Sequence, residues 1–225
     1  MKTSQFVRKQ TLGEEIANSV THGLGTIASI VGLVFLMLQA VLHGDVYSVI
    51  SGAIFGSMLI LLYSMSTLYH AITNEKAKKV LRIFDHCSIF FLITGSYAPF
   101  CLVTLRGKIG WGLFVFNIVL TICGAVLNSI SIKRFRKLSL ILYLLMGWSI
   151  IFTIKPLVNA LSLNALVLLV IGGICYSLGI IFYVAKKIKY MHTIWHFFVL
   201  AGSITHYLCI ILYVLPTKHL TQVIN

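Results

Sequence analysis

Two histidines stand four residues apart in MHTIWHFFVLAGSITHY, residues 191–207. On a helix, His192 and His196 share a face one turn apart, and that spacing lets two imidazoles bind one metal ion. The pair suits equally well two interfacial residues with polar tips among lipid headgroups. A third imidazole shifts the balance. His70 ends the run SMSTLYH, with Ser66 one turn earlier on the same face. Three histidines with an open position match a catalytic zinc site, whereas a closed structural site more often uses four protein ligands. The plainer alternatives are a helix-end histidine and a serine bonded back to a helix carbonyl. Asp85 opens another long apolar segment. It reads either as a carboxylate favoured by the dipole at a helix start or as a general base that takes the proton of an attacking water. His86 follows it and points about 100° away on a helix, which suits packing or support behind the ligands.

The segment GEEIANSVTH, residues 13–22, adds further polar groups. Glu15, Asn18 and His22 fall at i, i+3 and i+7, one face of a helix, while Leu12, Ile16 and Val20 line another. Thr11 with Glu14 three residues on reads as a capping box. This predicts a short amphipathic helix at the membrane interface, its polar stripe facing solvent or closing the mouth of the site. His206 lies ten residues beyond His196, roughly 15 Å along a helix. That is too far to share the same ion, so it is expected to be a buried, hydrogen-bonded histidine.

These residues sit in a chain of 225 residues that is 59% hydrophobic and 10% charged, with mean hydropathy +0.97. That composition excludes an ordinary soluble domain. Crossing about 30 Å of hydrocarbon takes roughly 20 helical residues. Seven such runs are expected near 24–42, 46–70, 85–105, 109–132, 138–154, 163–184 and 194–215, in an all-α bundle flanked by tails at 1–23 and 216–225. The polar start followed by a full-length apolar run does not fit a cleavable signal. Cys87, Cys101, Cys123, Cys175 and Cys209 form no C-x-x-C pair and are expected to be small buried hydrophobes rather than a disulfide framework.

The net charge of +13 is unevenly placed. Fourteen of the eighteen basic residues fall in the N-terminal tail (Lys2, Arg8, Lys9) and the connections after spans 2, 4 and 6. Those connections hold Lys76, Lys78, Lys79 and Arg82; Lys133, Arg134, Arg136 and Lys137; and Lys186, Lys187 and Lys189. Arg106, Lys108, Lys155 and Lys218 fall on the other side. Positive loops stay cytoplasmic, so the N-terminus is expected inside and the C-terminus outside. The basic loops then contact anionic inner-leaflet lipid and not nucleic acid. This topology brings Ser66, His70, Asp85, His86, His192 and His196, with Glu15, Asn18 and His22, to one membrane depth. His43, Asp45 and His219 fall on the outer side and are expected to be solvated.

Taken together, E-x-x-N-x-x-T-H (Glu15 to His22), S-x-x-x-H (Ser66 to His70), D-H (Asp85, His86) and H-x-x-x-H (His192 to His196) resemble the haemolysin III branch of the progestin and adipoQ receptor family. The resemblance covers nearly the whole chain. It implies seven spans with the N-terminus inside, zinc held by His70, His192 and His196, a water positioned by Asp85, and Ser66 placed to polarise a substrate carbonyl. It also implies a role in membrane-lipid homeostasis, with hydrolysis of ceramide-type amides associated with eukaryotic relatives. Three functions are thus expected to compete: a zinc-dependent hydrolase of a lipid amide or ester, a membrane sensor with structural zinc, and a pore-forming cytolysin. Unlike adiponectin receptors, the protein is expected to have no long cytosolic N-terminal domain, which argues against a hormone-receptor role.

Overall fold

A computed structural model describes residues 10–185 and 187–217. Lys2, Arg8, Lys9, Lys186, Lys218 and His219, used in the charge reading, lie outside the described residues. Among the described residues all regular structure is helical: α1 (Leu12–His43), α2 (Val46–Ala71), α3 (Glu75–Pro99), α4 (Lys108–Trp148), α5 (Ile154–Ala160), α6 (Leu163–Val184) and α7 (Met191–Cys209).

The helix starts obey local chemistry. The Thr11–Glu14 capping box forms: Glu14 Oε2 accepts from Thr11 N at 2.9 Å while Thr11 Oγ1 accepts from Glu14 N at 3.4 Å. Each bond satisfies an amide that has no partner inside the helix. Asp45 caps α2 by accepting from Ser48 N, and Asn74 caps α3 by accepting from Lys76 N and Ala77 N. The separate interfacial helix expected before residue 24 is corrected. Residues 12–23 are the first three turns of α1, which continues unbroken for 32 residues. Nothing between Gly13 and Gly25 supplies a breaker strong enough to end a helix. The helix that carries the third expected span begins at Glu75, ten residues before the expected start of that span. It runs past Pro99 into a π-helical turn, Phe100–Thr104, where the missing proline amide loosens the ladder.

Among the described residues, six helical stretches are long and apolar enough to cross a membrane. One of them, Lys108–Ala160, is 53 residues long; as a straight rod it would measure roughly 80 Å. It does not run straight. Ser131 adopts extended backbone (φ −168°, ψ 101°), and its hydroxyl accepts from Arg134 N, capping the helical arm that begins at residue 132. Hydrogen bonds pair residues on either side of Ser131. Ser139 Oγ donates to Asn128 Oδ1 at 2.7 Å, and Asn117 Nδ2 donates to Ser149 Oγ at 3.2 Å. The chain therefore folds back into two arms, residues 108–130 and 132–148. The loop expected at 133–137 is corrected to a one-residue reversal, and Lys133, Arg134, Arg136 and Lys137 open the second arm as helix.

The bundle has two chemically different ends. One gathers the start of α1, the end of α2, the starts of α3 and α7, and the Ser131 reversal. The described basic residues of the connections after α2, at the Ser131 reversal and after α6 all belong to it. At the other end Asp45 pairs with Arg106, and Ser48 Oγ donates to the Leu215 carbonyl. Asp45 is thus tied into the structure rather than merely solvated. Between the ends, Leu36, Phe55, Phe90, Met146 and Leu157 are fully buried. Ile27, Val31, Phe35 and Leu38 leave about half their surface exposed along one face of α1. A belt this apolar is a liability in water and suits a lipid environment.

Candidate metal centre

His70, His192 and His196 converge. Each offers a ring nitrogen, and the three lie within 4.8 Å of one another. His70 Nε2 and His192 Nε2 are 3.3 Å apart. Two ligands of a tetrahedral zinc with bonds of 2.0–2.1 Å would be about 3.3–3.4 Å apart. His70 and His196 are buried and His192 is partly buried. The histidines come from the last turn of α2 and the first two turns of α7, so helix ends rather than loops position the group.

A carboxylate stands behind the first ligand. Glu15 Oε2 lies 2.6 Å from His70 Nδ1, and Glu15 Oε1 lies 2.9 Å from Lys78 Nζ. An ionised carboxylate only accepts, so Nδ1 opposite it carries the proton and Nε2 keeps its lone pair. This is how carboxylates orient histidine ligands at metal sites. His196 is wholly buried. The Asn18 carbonyl lies beside its ring, yet neither ring nitrogen makes a hydrogen bond of good geometry. Leaving buried polar atoms unpaired is unfavourable. A bound cation would engage one of these nitrogens, so the three residues fit a metal ion such as zinc in number and chemistry.

The other expected residues surround this group. Ser66 is buried and its hydroxyl has no hydrogen-bond partner. Ser64 and Thr67, on the same helix, both bond back to carbonyls four residues earlier. Ser66 therefore differs from its neighbours Ser64 and Thr67. Asp85 is buried, interacts electrostatically with His70 and His192, and has Oδ2 3.3 Å from His86 Nδ1. His86 Nε2 in turn faces the Tyr183 hydroxyl at 3.5 Å, and its carbonyl accepts from Tyr143 Oη at 2.9 Å.

The start of α1 is divided differently from the expected Glu15–Asn18–His22 stripe. Glu15 turns to α2 and α3, while Glu14, Asn18 and His22 face α7. Glu14 Oε1 accepts from Tyr190 N at 2.9 Å, holding that residue in left-handed backbone (φ 60°) immediately before α7. Asn18 Oδ1 accepts from Thr193 Oγ1 at 2.6 Å. His22 stacks on His196 with ring centroids 3.5 Å apart. Glu14, Thr193 and Lys78 thus belong to the centre, although the sequence pattern did not mark them as site residues. A signal for Glu14 did exist, since residues 14, 18 and 22 are also spaced by helical turns.

His206 stands apart, bonded through Nε2 to the Leu169 carbonyl at 3.1 Å, as its depth required. All five cysteines are free. Cys87, Cys101 and Cys209 are buried, while Cys123 is exposed on the lipid-compatible surface, unlike the buried position expected for it.

A partly open apolar pocket lies between α2, α3, the second arm of α4, α6 and α7, lined by Leu62, Ile89, Leu92, Leu144, Ile180 and Val199 among others. Tyr183 and Trp195 line it too, and the same two rings pack against His192, at 6.1 and 4.8 Å between centroids. The cavity and the histidines thus share two side chains.

The family described as "Haemolysin-III related" matches residues 10–207. The chain is similar to "Hemolysin-3" of Bacillus cereus, 44% identical over 216 residues, covering 96% of each chain. It is similar to "Hemolysin-3 homolog" of Bacillus subtilis (strain 168), 45% identical over 211 residues, covering 94% of this chain and 99% of that one. A more distant relative is "Monocyte to macrophage differentiation factor" of Homo sapiens, 30% identical over 213 residues, covering 90% and 85%. No solved structure matches significantly. With nearly the whole length matched and helices apolar enough to cross a bilayer repeatedly, this multi-pass cell-membrane protein belongs to the haemolysin III family.

Proposed function

We propose that the protein is a zinc-dependent hydrolase of a lipid amide or ester, working at the inner face of the membrane in membrane-lipid homeostasis. Counting the two arms of α4 separately supports seven spans, and the basic end supports a cytoplasmic N-terminus and contact with anionic lipid. The observation that carries the reading is the juxtaposition of three histidines with a buried, unbonded Ser66 hydroxyl and a buried Asp85, next to an apolar cavity.

His70, His192 and His196 would hold the ion, and Glu15 would keep the His70 lone pair aimed at it. Zinc, when bound, supplies Lewis acidity that lowers the pKa of water and polarises a carbonyl. Asp85 takes the proton as the water oxygen bonds to the carbonyl carbon. It returns that proton to the leaving nitrogen or oxygen as the old bond breaks. Ser66 donates a hydrogen bond to the developing oxyanion. The cavity receives the acyl chain and keeps bulk water away.

The test is turnover of a panel of lipid amides and esters by the purified protein, with and without chelator, beside Asp85→Asn. Cleavage that needs both the metal and Asp85 supports the reading. Absence of cleavage, or normal turnover by Asp85→Asn, contradicts it. One observation favours a second reading: the three histidines join α2 to α7, so the ion would pin two helices in a lipid-responsive regulator. In that case His70→Ala lowers thermal stability while Asp85→Asn leaves function intact.

A further inference from the structure

His22 is the fourth imidazole of the centre and has no part in the proposed hydrolysis. It is 1% exposed, and its ring lies parallel to that of His196, with centroids 3.5 Å apart and planes 9° from parallel. The Tyr63 ring meets His22 edge-on from another side, at 5.0 Å and 78°. Tyr63 can sit there because residue 25 is glycine; a β-carbon at that position would lie 2.9 Å from the Tyr63 ring and from Leu200. The His196 carbonyl lies beside the His22 ring, but neither nitrogen of His22 makes a well-formed hydrogen bond.

The geometry decides what this ring can do. An imidazole lone pair lies in the ring plane, so an ion bound by His196 lies in the plane of His196. The plane of His22 runs parallel to it at a distance. His22 is therefore badly placed to share that ion, and it is not one of the three residues whose ring nitrogens converge. Its flat face covers the flat face of His196 and restricts rotation of that ring. His196 needs such a restraint. His70 has a carboxylate on its second nitrogen, whereas no well-formed hydrogen bond orients His196. The His22 contact is also the last of three that run down one side of α1: Glu14 to Tyr190, Asn18 to Thr193, His22 to His196. They fall four residues apart on α1 and three apart along the chain that leads into α7. The first two set the height and rotation of α7; the third reaches a candidate ligand itself.

We propose that His22 is a positioning residue of the metal centre, which fixes the ring plane of His196 by stacking, with Tyr63 as its backing. The proposal rests on the three-histidine reading of the centre. Its test is affinity for zinc and the ligand-field spectrum of the cobalt(II)-loaded protein, measured on the full chain in detergent. Three variants are compared: His22→Phe, which keeps a flat ring without nitrogens; His22→Leu, which fills similar space without a plane; and His22→Ala. The expected result is that His22→Phe stays within about threefold of wild-type affinity with an unchanged cobalt spectrum. His22→Leu and His22→Ala should bind on the order of 10–100-fold more weakly, the range seen when groups orienting a ligand are removed. If His22→Ala does not fold, the contrast between Phe and Leu decides. Wild-type affinity in His22→Leu overturns the proposal, as does a loss in His22→Phe equal to that in His22→Leu, which would assign the role to the nitrogens. A wild-type protein that binds no metal overturns the underlying reading together with this one.

Discussion

Glu15 and His70 are 55 residues apart in sequence and 2.6 Å apart in space, carboxylate oxygen to Nδ1. The pair joins the first turn of α1 to the last turn of α2, and Lys78 of α3 holds the other carboxylate oxygen. Three helices therefore meet behind one candidate ligand. Replacing Glu15 by Gln keeps the shape but removes the charge that fixes the protonated nitrogen. Zinc affinity should fall by about 10–100-fold, read by competition with a chromophoric chelator. Unchanged affinity would show that the contact is only a helix staple.

Ser66 offers a cleaner separation of chemistry from folding. Its hydroxyl is buried and makes no bond within the protein, so Ser66→Ala removes no native hydrogen bond. The thermal midpoint and metal content should stay at wild-type values, while turnover of the cleaved lipid should fall on the order of 10²-fold, as for loss of one oxyanion donor. A full-rate Ser66→Ala would remove Ser66 from the mechanism.

At the far end of the bundle, Asp45 caps α2 and pairs with Arg106 across the bundle. Partial burial works against its ionised form, but hydrogen bonds from Arg106 and Ser48 outweigh it and hold the carboxyl below its usual value. A depressed carboxylate pKa stabilises the fold above the unfolded value, near 3.9, and that stability is lost as pH falls through the folded value. Both side chains are well exposed, so the effect is small. The midpoint of the wild type should drop more than that of Asp45→Asn between pH 5 and 3, by circular dichroism in detergent. Parallel pH curves would contradict the assignment.

His206 depends on a neighbouring glycine. A β-carbon at Gly172 would collide with the His206 ring and crowd Thr205, and the ring is held by the Leu169 carbonyl. Gly172→Ala should destabilise the protein by about 1–3 kcal/mol, the usual effect of overpacking, without changing metal content. A wild-type midpoint for Gly172→Ala would mean that the ring shifts freely.

The candidate ligands were legible because three independent regularities agree on them: the four-residue spacing of His192 and His196, the helix-end position of His70, and the alternation of basic loops. The family resemblance rests on the same residues. The partners were less legible. Glu14 and Glu15 are adjacent, and only the helices packed beside α1 determine that one reaches Tyr190 and the other His70. Ser131 looks like an ordinary serine between helix-forming neighbours. The reversal there depends on pairing of the two arms, Asn128 with Ser139 and Asn117 with Ser149, which no local pattern announces. The π-helical turns at Phe100–Thr104 and Ile210–Val214 are equally silent in sequence.

The central claim is that His70, His192 and His196 hold one metal ion. Elemental analysis of the purified wild type, beside His70→Ala and His192→Ala, tests it most directly. The account predicts about one zinc per chain in the wild type and little or none in either variant. A metal-free wild type, or variants that retain the ion, would contradict it.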